Sequence, residues 1–356
     1  MSTHATATKR SRRGHGRPTL HDVADVAGVT RITVSRFFRE PARVAEETAT
    51  RIREAVAQTG YVPNKQAGQL ASGHSLMVAA LIPNIGHSIF AETIQGLSEG
   101  LRNTGLELLL ASTGYSMERE EAQLRALIGW APGALIVTGR HHSPGAERLL
   151  RDAQDAGTPV IEIWDSSPPR AGVKGFAQIG FSHEAVGRAM GRHLLDLGHT
   201  SLAYIDSGVA EDFRAHERGQ AFVAEVRAAG ARVEVLRADT GDAFDSGRLV
   251  LGRLRAASGP AITAAAFAND HLACGALMEA QAQRVAVPGQ LALLGFGDFP
   301  LGRQMRPALS TVRPPRTEIG RAAAEAALLA IASKACVVGR TLEWALIARD
   351  STAHAA

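Results

Sequence analysis

Within seven consecutive positions, Thr30-Arg31-Ile32-Thr33-Val34-Ser35-Arg36, the chain carries two arginines and three hydroxyls. That combination suits a nucleic-acid surface. An arginine can offer two donors to guanine O6 and N7, while isoleucine can read groove shape or a thymine methyl. Hydroxyls at Thr30, Thr33 and Ser35 suit phosphate oxygens, which set register rather than sequence. For Thr30, helix capping is an equal use of the same oxygen. No comparable set exists for catalysis. No Ser/His/Asp or paired-carboxylate arrangement stands out, and His141-His142, like the other histidines, are expected at the surface. The best dinucleotide-like fragment, Gly295-Phe-Gly297-Asp-Phe-Pro300, lacks a third glycine and does not open a helix. The chain is therefore not expected to be an enzyme, and no cofactor or metal is expected.

The elements that must hold these residues are legible in the same stretch. Leu20, Val23 and Ala24 fall on one face of a short helix, Gly28 breaks the chain, and Thr30 caps a second helix through Ser35 and Arg36. Two helices joined by a glycine-containing turn form a helix-turn-helix, whose second helix can lie in the major groove. A third helix is predicted from about Glu46 to Gln58, with Ile52 and Val56 facing the first two. Its cap position, Ala45, has no side-chain acceptor, a deficit of roughly 1 kcal/mol. Charge follows the same division. Residues 1–73 hold 12 Lys and Arg against 6 Asp and Glu, a net of +6, in a chain whose total is +4. A basic end on a near-neutral body is the electrostatic footprint of a phosphate contact. The first 17 residues, with Lys9, Arg10, Arg12, Arg13 and Arg17, no acid and almost no apolar residue, are expected to be a disordered basic arm.

Beyond Met77, apolar runs alternate with helical patterns. Val78–Ile82, Glu107–Ala111, Ala134–Val137, Val160–Ile163, Leu202–Ile205, Ala264–Ala268 and Leu291–Gly295 read as buried parallel strands. Helices are expected over Ala91–Thr104, Glu118–Trp130, His183–Leu197, Gln220–Ala229 and His271–Gln283. Such alternation predicts parallel sheets covered by helices, and the number of strands suggests two lobes. No apolar run approaches a membrane span, and an apolar leader is not seen. Two cysteines, Cys274 and Cys336, have no metal-ligand spacing. A cytoplasmic protein with reduced thiols is the expectation.

The block Asp22-Val-Ala-x-x-Ala-Gly-Val-Thr-x-x-Thr-Val-Ser-Arg36, with Gly60-Tyr-Val-Pro-Asn64 after it, resembles the lactose-repressor (LacI) family of bacterial regulators. Later landmarks are Ile-Gly-Phe-Ser-His-Glu at 179–184, Leu-Gly-His at 197–199, Ala-Asn-Asp at 268–270 and Pro-Ala-Leu-Ser-Thr-Val at 307–312. The resemblance runs from about 18 to 348. It implies an all-α helix-turn-helix headpiece with a hinge helix, then an α/β two-lobed core with parallel sheets, like periplasmic binding proteins. The expected divisions are a basic arm over 1–17, a headpiece over 18–64, a hinge over 65–75, a core over 76–348 and a tail over 349–356. One lobe is placed near 76–177 with a return at 313–339. The other is placed near 178–312 with a final strand at 340–348.

The resemblance also implies roles. Arg31 and Ile32 occupy positions that vary with operator sequence, Arg36 matches a base-reading arginine, and Thr30, Thr33, Ser35 and Asn64 match phosphate contacts. In the hinge, Ala67 and Leu70 match minor-groove contacts, with Leu70 as the wedge that unstacks a base step. The ligand cleft between the lobes is implied for Ser88, Phe90, Asp165, His216, Phe244, Asn269 and Asp298. Two departures matter there. Gly297 replaces a strand-end acid that grips sugar hydroxyls, and His216, flanked by Arg214 and Arg218, replaces an arginine. Both shift the cleft toward an anionic ligand, and Arg316 can add charge. Leu81-Ile-Pro-Asn84, Ile89-Phe-Ala-Glu92, Gly114-Tyr115, Glu162-x-x-Asp165-Ser166 and Pro315-Arg316 are most similar to the gluconate-utilisation repressors of the family.

The expected function is a sequence-specific DNA-binding regulator, most simply a repressor of carbohydrate or sugar-acid catabolism genes. Its expected partners are a double-stranded operator, a small-molecule effector such as gluconate, and a second copy of itself. The tail has no heptad repeat, so a tetramer-forming coiled coil is not expected. A solute receptor with no regulatory role is the alternative that the core alone would permit; the headpiece argues against it.

Overall fold

The computed structural model describes residues 18–63, 75–85, 89–167, 175–239, 241–256, 259–333 and 336–353. The expected basic arm, most of the hinge with Asn64, Ala67 and Leu70, and Ser88 lie outside the described residues. The chain divides into two compact units, Met1–His74 and Ser75–Ala356.

In the first unit, α1 (Leu20–Ala27) opens with a reciprocal cap: the Thr19 hydroxyl accepts from backbone amides, and Asp22 accepts from the Thr19 amide at 2.7 Å. Gly28, with φ 63°, turns the chain into α2 (Arg31–Arg39). A short 3₁₀ turn, Pro41–Arg43, leads to α3 (Glu46–Thr59), which starts at Ala45 without a side-chain cap. Val23, Val34 and Ile52 are fully buried at the centre, with Ala24, Ala55 and Tyr61 around them. Burying each large aliphatic side chain contributes roughly 1.5–3 kcal/mol, which is what a three-helix unit this small depends on.

The second unit contains two six-stranded sheets. In the first lobe, β1 (Met77–Ile82), β2 (Glu107–Ser112), β3 (Ala134–Thr138), β4 (Val160–Ile163) and β5 (Ala177–Gly180) are linked through α4 (Ala91–Leu101), α5 (Met117–Gly129) and α6 (Pro144–Asp155). In the second, α7 (His183–Asp196) precedes β6 (Ser201–Asp206). There follow α8 (Phe213–Ala228), β7 (Arg232–Arg237), α9 (Ala243–Ala256), β8 (Ala264–Phe267), α10 (Asp270–Ala282), β9 (Ala292–Phe296), α11 (Pro300–Gln304) and β10 (Ser310–Arg313). The chain then returns through α12 (Arg316–Ser333), which packs on α4, to β11 (Arg340–Thr341) and β12 (Ala345–Ile347).

The first sheet runs β11-β5-β4-β3-β1-β2 and the second β12-β10-β9-β8-β6-β7; among the described residues only β12 is antiparallel to its neighbour. Central strands are fully buried, as both-side coverage requires. The return helix approaches α4 very closely: a methyl on Gly96 or Gly320 would collide with backbone of the other helix.

Several details differ from the sequence expectation, beginning with the first lobe, which extends past 177 because β5 pairs with β4 in its sheet. The final strand is divided, because Arg340–Thr341 pairs with β5 in the first sheet and only β12 joins the second. The expected tail begins inside the second lobe: Ser351 and Thr352 are buried, and Ser351 Oγ donates to the Leu293 carbonyl at 2.6 Å. Helix α8 starts seven residues before Gln220, which places 214, 216 and 218 on a helix rather than a loop.

Candidate functional site

On α2 the side chains divide by direction. Val34 is fully buried, whereas Arg31 and Arg36 are exposed and Ile32 is 68% exposed. At 100° per residue, positions 31, 32, 35 and 36 share one arc. Arg43 pairs with Glu40 at 2.9 Å and Arg53 with Glu46 at 2.8 Å. Among the described residues neither Arg31 nor Arg36 pairs with a carboxylate. The Thr30 oxygen accepts from the Thr33 amide at 3.2 Å and lies 2.9 Å from the Thr33 hydroxyl, so its capping use is realised. Ser35 is half-buried. The result is a solvent-facing strip with two cations and one apolar side chain, held from behind by Val34.

In the second unit, the carboxyl ends of the strands from both lobes converge, the position where open α/β sheets bind ligands. Phe90, at the start of α4, is buried against Trp164, with ring centroids 5.1 Å apart. Asp165 follows Trp164 and is 1% exposed. Burial pushes its carboxyl up to about 6, opposed by the nearby charges of Arg214 and Arg140. Arg140 lies between the lobes, 3.7 Å from Asp165 and 2.7 Å from Glu217. The guanidinium of Arg214, also buried, sits 5.8 Å from the Phe90 ring. It fits there because residue 139 is glycine: a Cβ at Gly139 (φ 93°) would stand 2.5 Å from Arg214 Nη1. A small cavity is lined by Thr113, Tyr115, Thr138, His141, Phe213 and Arg214. His141 stacks on Phe213 across the lobes at 4.9 Å.

One turn further along α8, Arg218 lies over the Phe296 ring at 3.8 Å and donates to the Ala268 carbonyl at 2.9 Å. It also donates to His183 Nδ1 at 3.0 Å, while His183 Nε2 donates to the Trp164 carbonyl at 2.9 Å. These bonds define a neutral imidazole. Burial, reinforced by the charge of Arg218, holds its pKa well below the usual histidine range.

At the other end of the cleft, Phe244, His271 and Phe299 form a continuous stack, with centroid spacings of 4.9 and 4.6 Å. Arg316, 5% exposed, reaches from the first lobe to lie 5.4 Å from the Phe299 ring, and its Nη2 pairs with Glu92 at 2.7 Å. Beneath it, Asp270 is fully buried and accepts from the Phe299 amide at 2.8 Å and the Thr311 hydroxyl at 2.6 Å; burial pushes its carboxyl up to about 6.

The implied cleft residues divide accordingly. Phe90 and Asp165 lie at the convergence, and Phe244 belongs to the aromatic stack. Asn269 caps α10, accepting from the Leu272 amide at 3.0 Å. Asp298 has its carboxylate engaged within the protein. Its buried carboxylate takes Arg313 and Arg349, each at 2.5 Å, and Arg303 at 3.5 Å. Burial alone would raise its pKa, but the hydrogen bonds from Arg349 and Arg313 hold it below the usual range. His216 Nε2 lies 3.3 Å from Asp206, on a different side of α8 from Arg214 and Arg218. Residues four apart share a helix face and residues two apart do not. Gly297 has a backbone reason of its own, with φ 137° and the Phe299 ring 2.9 Å from where a Cβ would stand.

His142 corrects the surface expectation. Its side chain is 3% exposed, with Nδ1 2.6 Å from Glu120 and Nε2 3.4 Å from Glu162. Burial acts to lower its pKa, but the two carboxylates outweigh burial and raise it to about 9. Sequence reasoning had no signal for this, since the partners come from two separate elements.

Several buried polar atoms near the convergence have no hydrogen-bond partner among the described residues: Arg140 Nε, Trp164 Nε1, Arg218 Nε, and Nε and Nη1 of Arg316, with Asp165 Oδ2 as the acceptor. An unmatched buried polar atom costs roughly 1–3 kcal/mol. Five donors face one acceptor.

Comparison with known proteins bears on both units. Residues 19–64 match the family described as bacterial regulatory proteins, lacI family, and residues 192–352 match a periplasmic binding protein-like domain. The HTH-type transcriptional regulator GntR of Pseudomonas aeruginosa is 38% identical over 98% of this chain and 99% of its own length. The regulator of the same name from Escherichia coli K12 is 31% identical, covering 88% of this chain and 92% of its own. A solved LacI-family transcriptional regulator from Silicibacter pomeroyi superposes with a TM-score of 0.85 at 32% identity, over 94% of this chain and 99% of that one.

Proposed function

The chain belongs to the LacI family of bacterial regulatory proteins and is a DNA-binding transcriptional regulator rather than an enzyme; from that premise we propose that it represses sugar-acid catabolism genes and that an anionic sugar acid, gluconate first, is its effector. Regulators of this family bind DNA operators and small-molecule effectors and act as dimers. In this reading the protein is a cytoplasmic homodimer. Arg31, Ile32 and Arg36 read bases, while Thr33, Ser35 and Asn64 bond phosphates. The hinge residues Ala67 and Leu70 enter the minor groove.

The observation that supports an acidic effector is the charge balance at the strand ends. Glu217 pairs with Arg140 and Glu92 with Arg316, while among the described residues the buried Arg214 and Arg218 make no ion pair, Asp165 being a carboxylate whose titration feels Arg214. Burial already drives that carboxyl toward its neutral form. A carboxylate entering the cleft gains charge-assisted hydrogen bonds that a neutral sugar does not. The gluconate-like sequence segments, Ile89–Glu92 and Pro315-Arg316 among them, border the same cleft. To release DNA, the effector must prefer one lobe arrangement, and differential binding of about 1–3 kcal/mol is ordinary coupling.

The test is fluorescence anisotropy on a palindromic operator recovered by selection from random DNA. Gluconate is expected to lower operator affinity about 5- to 150-fold, and glucose to leave it unchanged. Release by glucose with no response to gluconate would refute the acid assignment.

A further inference from the structure

We infer that Arg316 is the carboxylate anchor of the cleft and that the Asp165 end holds hydroxyls, so that the ligand is a polyhydroxy acid bound in one orientation. This inference rests on the sugar-acid reading above and adds the groups that enforce it.

Arg316 is the first residue of α12 and is 5% exposed. One guanidinium nitrogen pairs with Glu92, while Nε and Nη1 are shielded from solvent and have no hydrogen-bond partner. A buried guanidinium with two unmatched nitrogens calls for an acceptor, and a carboxylate, with two oxygens, is the acceptor that can take both. The neighbouring Asp270 does not serve, since its two oxygens already accept from Phe299 and Thr311. The Phe299 ring lies over the same guanidinium, 5.4 Å from its carbon.

The opposite end has a different character. Asp165 Oδ2 is an unmatched acceptor, and Arg140 Nε and Trp164 Nε1 are unmatched donors. A hydroxyl can donate to the first and accept from the others, which neither a carboxylate nor an apolar group can do. The Phe90–Trp164 ring pair belongs to this end, and Phe90 is two residues from Glu92, the partner of Arg316. The two ends therefore meet at the start of α4. A chain with an acid at one end and hydroxyls along the rest matches both.

Titration calorimetry with gluconate and its neutral amide, gluconamide, separates charge recognition from hydroxyl recognition. Wild-type protein is expected to prefer gluconate roughly 10- to 100-fold. Arg316→Ala is expected to abolish that preference while leaving gluconamide affinity within about 3-fold, and Arg316→Lys to restore part of it. Arg316→Met, which keeps the packing on Phe299, carries the same expectation should the alanine variant fail to fold. Asp165→Asn is expected to weaken acid and amide equally. If the Arg316 variants keep the full preference for the acid, the anchor is elsewhere while the sugar-acid reading stands. If wild-type protein does not distinguish acid from amide, the sugar-acid reading itself falls.

Discussion

At the scale of single residues, three histidines show how neighbours decide chemistry. His183 is neutral because it is buried and receives a hydrogen bond from a guanidinium; His142 is charged because two carboxylates enclose it; His216 faces Asp206 at the edge of the cleft. His142 gives a pH prediction with a definite sign. Its folded pKa, about 9, lies above the ordinary 6.5, so its stabilisation is complete below about pH 6.5 and is lost as pH rises to 9. The amount is on the order of 3 kcal/mol, since each unit is about 1.4 kcal/mol. Thermal denaturation between pH 7 and 9.5 is expected to show a falling midpoint for wild-type protein and a flatter profile for His142→Gln. Parallel profiles would mean that the carboxylates do not hold the proton. Asp165 and Asp270 act in a lower window. Both pKa values are raised to about 6, so their contribution declines as pH rises from about 4 to 6 and is constant above.

At the scale of elements, each helix presents functional groups on one face because another face is committed to the core. In α2, Val34 fixes the roll of the helix and leaves Arg31, Ile32 and Arg36 facing outward. Arg36→Ala is therefore expected to weaken specific operator binding by about 1–3 kcal/mol and to leave the melting temperature unchanged. A lowered melting temperature with intact specificity would assign Arg36 to packing instead. Helix α8 follows the same rule with opposite polarity: its buried face carries Arg214 and Arg218, so its cations point inward. The period of 3.6 could have selected this pair over His216, had the helix been extended back to Phe213. Asp212, which accepts from the Ala215 amide, is the cap that marks that start.

At the scale of the whole molecule, the crossings between lobes occur next to the cleft, after β5, after β10 and between β11 and β12. Contacts such as Arg140–Glu217 and His141–Phe213 therefore report directly on lobe arrangement, which an effector can bias. The C-terminal segment adds a constraint on assembly. Arg349 to Thr352 are tied into the second lobe through Asp298, Ser310 and Leu293. Light scattering of the purified protein is expected to give a dimer that binds one operator, because a two-fold site needs two headpieces. A stable tetramer would require an interface outside this C-terminal segment.

Alternation of apolar runs and the Thr30-to-Arg36 block were enough to identify the headpiece, the parallel sheets and the outward strip of α2, because each depends on residues close in sequence. The same local signals misplaced edge elements. β7 is a half-buried edge strand interrupted by charged residues, and β11 is two residues long and parallel to β5 where β12 is antiparallel to β10. The cleft was legible in outline, through Phe90, Asp165 and the arginines beside His216, but not in its assignments. Asp298 reads as a ligand acid until Arg349 and Arg313 are seen to occupy it, and His142 reads as a surface residue until α5 and β4 bring Glu120 and Glu162 to it. Helix and strand type follow from the spacing of neighbours along the chain. Which buried charges are already paired, and which still need an acceptor, is decided by groups that only the folded chain brings within hydrogen-bond distance.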